Sequence, residues 1–296
     1  MVGVSAPPVV SLQNILVATD FSPCSQIALH CAAVLARQAK GRVFLAHVLP
    51  CAPMSPIPMD AGPAFPVTIG QDPRFRMKQL VSAPEMAGIE HETLLGQGDL
   101  WLVLQGMIEE HHIELVVIGT HGREGLKKVV LGSVAEEVFR RAPCPVVTVG
   151  PHVAPECIEQ GRLRRVLFAT DLLPSSLHAL PYVTMLAQQH QASLTLLHAL
   201  ASAVPGMEFD ATVPIERQVA EARAELRQVV PAGSNADVVV EVGIPSEIIV
   251  RVAHAQNASL IVTGLHSQSV FAATHLPWTT AHRVVRDAHC PVMTVK

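Results

Sequence analysis

The residues with the most chemical content lie at 119–133, GTHGREGLKKVVLGS. Gly119, Gly122 and Gly132 carry no Cβ, so backbone N–H groups beside them can approach phosphate oxygens closely. Gly132 and Ser133 stand where a helix is predicted to begin. Unpaired N–H groups and the helix dipole favour an anion there. Ser133 either caps that helix or donates its hydroxyl to a phosphate. His121, Lys127 and Lys128 are placed to reach the same charge, although lysine pairs on loops are ordinarily solvated. For a bare G-x-x-G, a glycine-rich turn followed by an ordinary helix cap is the favoured reading.

Something must hold this segment in place. Residues 115–118 form a compact apolar run that ends at Gly119, and in an open α/β sheet ligands bind at such carboxyl ends of strands. Residues 14–18 form another run, turning polar at Thr19 and Asp20. Ile27, Ala28, Cys31, Val34 and Leu35 then recur at helical spacing, which predicts a helix over 24–38 closed by Gly41 as its C-cap. Further strands are predicted at 43–48 and 145–149, and in the second half at 166–169, 194–197, 238–242, 260–262 and 292–295. Strands separated by helices imply parallel crossovers and a sheet covered on both faces.

The pattern occurs twice. Residues 15–49 align without a gap with 166–200, so that Asp20 meets Asp171 and His47 meets His198. APCPVVTV at 142–149 answers AHCPVMTV at 288–295, and ELVVIGTHG at 114–122 answers SLIVTGLHS at 259–267. A duplicated unit of roughly 140 residues accounts for the length of 296. The expected fold class is therefore α/β, two tandem doubly wound domains with parallel five-stranded sheets. The expected division is 1–150, a linker at 151–161, and 162–296. Residues 50–66 are rich in proline and read as a long loop, either a lid or a plain insertion.

Composition narrows the function classes. Lys plus Arg is 21 against 25 Asp plus Glu, a net charge of −4, with no dense basic run, which argues against a nucleic-acid surface. A hydrophobic fraction of 49% and a mean hydropathy of +0.35 describe a globular chain without a continuous membrane-length run. The first residues have no basic leader, and six scattered cysteines do not make a disulfide scaffold. A reduced, cytoplasmic protein is expected. The fifteen His and six Cys show no zinc-finger spacing, so no metal site is expected. Cys31 falls on an apolar helix face, and Cys144 and Cys290 occupy matching positions before the last strand of each half, both reading as core. No catalytic residue is assigned, because no nucleophile elbow, Walker A lysine or H-E-x-x-H is present.

The glycine pattern resembles that of the universal stress proteins, whose nucleotide-binding members carry G-x2-G-x9-G-[S/T] after the fourth strand. Gly119, Gly122, Gly132 and Ser133 match it at every spacing. ILVATDFS, LAHVL and APCPVVTV are similar to family signatures in the same order, and the resemblance covers nearly the whole chain twice. It implies a tandem UspA-like protein with the adenine nucleotide alpha hydrolase-like fold. It further implies adenosine contacts at Ala18, Thr19 and Asp20, with Val48 offering backbone groups to the adenine edge. Ile118, Gly119, His121 and Gly122 would line ribose and phosphates, while Gly132, Ser133, Val134 and Ala135 close on the phosphate chain. The implied ligand is ATP, with ADP or AMP as alternatives and Mg accompanying a triphosphate. Asp20 has a plainer reading as an Asx-turn residue.

The second half departs from this pattern. Gly264 is kept, Gly122 is answered by Ser267, and Pro277, Trp278 and Thr279 stand where the helix-start glycine is expected. A proline there removes a donor and a tryptophan fills phosphate space, so one competent site is expected, in the first half. The family resemblance also implies pairing through last strands, here 146–150 with 292–296 inside one chain as a pseudo-dimer, and a homodimer beyond it. The rival readings are a nucleotide-independent interaction protein and a slow ATP hydrolase.

Overall fold

A computed structural model describes residues 10–50, 72–120, 133–201, 213–231, 233–265 and 280–296. The first half runs β1 (Asn14–Ala18), α1 (Pro23–Ala39), β2 (Arg42–Leu49), α2 (Pro73–Val81), β3 (Glu90–Gln97), α3 (Leu100–Glu110), β4 (Leu115–Gly119), α4 (Ser133–Arg141) and β5 (Val146–Val149). The second runs β6 (Arg165–Ala169), α5 (Pro174–Leu177), α6 (Leu180–His190), β7 (Ser193–Leu200), α7 (Ile215–Gln228), β8 (Ala236–Val242), α8 (Pro245–Ala255), β9 (Leu260–Gly264), α9 (Thr280–Asp287) and β10 (Val292–Val295).

The strands form one ten-stranded sheet in the order β3-β2-β1-β4-β5-β10-β9-β6-β7-β8. Among the described residues every pairing within a half is parallel, and one antiparallel seam joins β5 to β10, with Met293 opposite Val147. Apolar side chains alternate between two layers. Ile15 and Val17 enter the layer under α1, α2, α6 and α7, while Leu16 enters the layer under α3, α4, α8 and α9. The same face thus carries corresponding helices of both halves, which relates them by an approximate two-fold axis normal to the sheet. Their strands point in opposite directions, so the two sets of carboxyl ends lie at opposite edges.

Two expectations need correction. The edge strand β3 was not expected, because EHETLLGQ is exposed through its first four residues and shows no apolar run. Lys40, not Gly41, takes the left-handed cap of α1 with φ 53. Gly41 instead passes Gln13 so closely that a Cβ would lie 2.5 Å from its carbonyl oxygen. The stretch 151–161, expected as the linker, packs against the fold. Its residues Val153 and Ile158 are buried, and Pro155–Gly161 forms a 3₁₀ turn. His111 is half-buried, with its ring 4.8 Å from that of Phe44. Cys31 and Cys290 are buried and Cys144 is half-buried, as expected for core positions. Residues 51–71, with the proposed lid, lie outside the described residues.

The seam is asymmetric at its ends. Lys296 Nζ donates to the carbonyls of Arg140 and Ala142 at 2.7 and 2.9 Å, closing the C-terminal end of α4 where a cation is favoured. Its counterpart Gly150 instead lets the chain cross the end of α9, where a Cβ would meet the Val285 oxygen at 2.5 Å.

His190 ends α6 with its Nδ1 accepting from the Leu163 N–H at 3.1 Å, while its buried Nε2 has no hydrogen-bond partner among the described residues. Burial lowers its pKa from 6.5 to about 4, so the native state holds it neutral while the unfolded chain protonates it below pH 6.5. Stability is therefore expected to fall between pH 6.5 and about 4, by on the order of 2 kcal/mol after solvent screening, and not to change further from this group below that. Urea midpoints across this window check it: His190→Gln, which keeps an acceptor for Leu163, flattens the dependence.

Candidate functional site

The strand order reverses at β1, which has β2 on one side and β4 on the other. Crossovers leave these strands in opposite directions and open a crevice at their carboxyl ends. The turn after β1 is fixed by short polar bonds. Thr19 N–H donates to the Ala46 carbonyl at 2.9 Å, and Thr19 Oγ1 accepts from the Phe21 N–H at 3.0 Å and lies 3.0 Å from Ser25 Oγ. Asp20 Oδ1 accepts from the Ser22 N–H at 2.9 Å, making an Asx-turn, and Ser22 caps α1 by accepting from Ser25 N–H. Phe21 is thereby driven to φ 65, and His47 Nδ1 lies 2.7 Å from the Thr19 carbonyl oxygen. The Phe21 ring sits 4.5 Å from the His47 ring, with the Arg76 guanidinium 4.0 Å over it.

The second half repeats this turn. Thr170 Oγ1 lies 2.8 Å from Ser176 Oγ and accepts from Leu172 N–H. Asp171 Oδ1 accepts from Leu173 N–H, and His198 Nδ1 lies 2.8 Å from the Thr170 oxygen. Leu172 takes φ 67. Sequence reasoning aligned His47 with His198 but gave neither a role. The signal was present as T-D followed by Ser25 or Ser176 at equal spacing.

Of the expected site residues, Ala18, Val48, Ile118, Val134 and Ala135 come together in one apolar layer, on the α3 and α4 face of the sheet. Ile118 and Ala135 are buried there, so they can offer a ligand only backbone groups. Ala46 accepts from β1, so the backbone groups of Val48, two residues further along, face the same way beyond the end of β1. Ser133 starts α4, whose N-terminal end points to this edge because α4 returns the chain between parallel strands β4 and β5. His121, Gly122 and Gly132 lie outside the described residues, as do Lys127, Lys128, Ser267, Pro277, Trp278 and Thr279.

Gly119 has a reason unrelated to phosphate. A Cβ there would lie 2.9 Å from the Cys24 carbonyl carbon and 3.0 Å from the Ser25 nitrogen, against the first turn of α1. Gly264 meets Ser176 in the same manner, with the Ser176 oxygen 2.8 Å from a built Cβ. Helix packing therefore explains why the first glycine survives in a half whose other motif positions have changed.

Among the described residues no group of three or more His, Cys, Asp or Glu side chains can hold a metal ion. Burial pushes the Cys144 and Cys157 thiols up to about 11 and about 12, and those of Cys31 and Cys290 higher still. These thiols stay protonated and unreactive at neutral pH.

The model of the universal stress protein family matches residues 11–150 and again 162–296. The chain belongs to the universal stress protein family. A universal stress protein A homolog of Coxiella burnetii is 30% identical over 146 residues, covering 46% of this chain and 95% of that protein. A universal stress protein of Mycobacterium tuberculosis H37Rv is 28% identical over 196 residues, 64% of each chain. Among solved structures, a universal stress protein from Archaeoglobus fulgidus superposes with a TM-score of 0.64 at 21% identity, over 96% of this chain and 98% of that one. This last similarity establishes the shared fold across both repeats.

Gly119→Ala and Gly264→Ala are each expected to destabilise the fold by about 2 kcal/mol or more, since backbone atoms cannot give way as a side-chain end can. Urea denaturation checks this. Equal stability to wild type would return Gly119 to a ligand role alone.

Proposed function

We propose that this universal stress protein binds an adenine nucleotide in its first half and acts as a cytoplasmic stress-response regulator. The observation that carries the reading is that Ala18 and Ile118 pair at the ends of β1 and β4, where the strand order reverses, with Val48 on the neighbouring strand and Val134 and Ala135 in the same apolar layer. Adenosine would lie against Ala18, Thr19 and Asp20, with its base edge at the Val48 backbone. Phosphates would lie beyond Ile118 and Gly119 at His121, Gly122, Gly132 and Ser133, with Val134 and Ala135 closing α4 over them. ATP with Mg is the preferred ligand, and ADP and AMP fit the same chemistry. Phosphates at the N-terminal end of α4 would gain from its dipole and unpaired N–H groups, which supplies the differential contact a switch requires.

On this reading 1–150 and 162–296 are two domains joined by 151–161, and the β5–β10 seam makes them an internal pseudo-dimer. Two chains could pair further as a homodimer, which a strict monomer by ultracentrifugation at high concentration would disprove. The second half keeps Asp171 but not the helix-start glycine, so one nucleotide site is proposed per chain. A nucleotide-independent interaction protein is the second reading. It is favoured by Gly119 and Gly264, which helix packing alone would retain.

Gly132→Glu is expected to weaken ATP binding by roughly 100-fold or more in calorimetry while circular dichroism and thermal unfolding stay near wild type. Unchanged affinity in that folded variant would place the site elsewhere.

A further inference from the structure

The connection between the repeats builds a second cleft that the nucleotide reading does not use. Its volume is about 470 Å³, and Arg164, His254, Asn257, Ser259, His289 and Cys290 are among its walls. The His254 and His289 rings are 4.7 Å apart, and the ring of His152, from the connector, is 5.8 Å from that of His289. Three imidazoles from three segments therefore stand in a row, all of them exposed. The floor is fixed, because buried Ser259 Oγ accepts from the Arg164 N–H at 3.1 Å.

The charges facing this row can be followed element by element. The connector contributes Glu156 and the protonated thiol of Cys157, and the start of β6 contributes Arg164. Beside the row, the Asp287 carboxylate at the end of α9 interacts with His152 and Arg283 and accepts two 2.7 Å hydrogen bonds from Arg286. The end of α8 adds little negative potential. Its carbonyls at Val252, His254 and Ala253 accept from the N–H groups of Gln256, Asn257 and Ala258 at 2.9–3.0 Å. With neutral imidazoles the cleft is close to balanced, and each added proton makes it more positive. Adjacent imidazolium rings repel at these separations, and burial together with His254 and His152 holds the His289 pKa below its ordinary value. An anion seated among the rings would remove that repulsion.

We propose that this cleft binds a small tetrahedral oxyanion of the phosphate or sulfate type, and binds it more tightly in mild acid. His254, His289, Arg164 and Asn257 line the cleft and would supply its N–H donors, with the His152 ring beside that of His289. By the antiparallel seam the cleft lies at the same sheet edge as the crevice of the first half. A residue-resolved readout is therefore needed.

The test is a pH titration of the histidine Cε1–H signals by NMR on the full chain, in sodium sulfate and in sodium chloride at equal ionic strength. The His289 signal is expected to titrate at higher pH in sulfate by roughly half a unit or more, and the His152 and His254 signals are expected to move on adding sulfate. Sulfate affinity at these signals should be roughly tenfold tighter near pH 5.5 than near pH 7.5. His289→Gln and His254→Gln, both neutral surface changes, should each weaken it several-fold. Coincident titration curves in the two salts, or unchanged sulfate affinity at the remaining cleft histidines in both variants, would overturn the proposal.

Discussion

The crevice at the ends of β1 and β4 depends on one constraint, the close approach of the first turn of α1 to Gly119. With Cys24 and Ser25 at van der Waals limit over that glycine, α1 shuts one side of the strand-order reversal. The bonds of Thr19, Asp20 and Ser22 set the angle at which α1 leaves the strand, and His47 ties the same turn to β2. On the α3 and α4 side Ala18, Val48 and Ile118 contribute to one apolar layer. A planar base suits such a layer, and the helix terminus beside it suits phosphate.

Duplication shows which of these features serve the fold and which are available for a ligand. The Thr–Asp turn, its serine, the histidine and the packing glycine all recur at Thr170, Asp171, Ser176, His198 and Gly264. Their presence in both halves means that the α/β unit itself requires them. The second glycine and the helix-start glycine differ between halves, and on the proposed reading these are the positions that would carry the functional difference. The seam follows the same logic. Both repeats end in short apolar strands, and each satisfies the other's open edge instead of leaving it exposed.

Much of this was legible in the chain before its fold was known. The two runs at 15–49 and 166–200 align because the same buried strands and helix face are needed twice, and burial is what apolar periodicity records. The strand β3 left no such trace, since an edge strand needs only a half-buried face and EHETLLGQ places its charges in water. The left-handed cap at Lys40 was missed because Gly41 stands beside it and is used for clearance from Gln13. Gly119 was read as a phosphate glycine because a missing Cβ looks the same in sequence whether a helix or a ligand fills the space. The histidine row escaped notice because His152, His254 and His289 meet only through the tertiary arrangement of the connector, α8 and the segment before β10.

The most direct test of the central claim is to denature freshly purified protein, separate the released nucleotides by chromatography and measure their molar ratio to the chain. About one ATP or ADP per chain is the expected result, since a site in the first half alone retains ligand through purification. No nucleotide, together with no thermal shift on adding ATP and magnesium, would contradict nucleotide binding. A ratio near two would contradict the assignment of a single competent half.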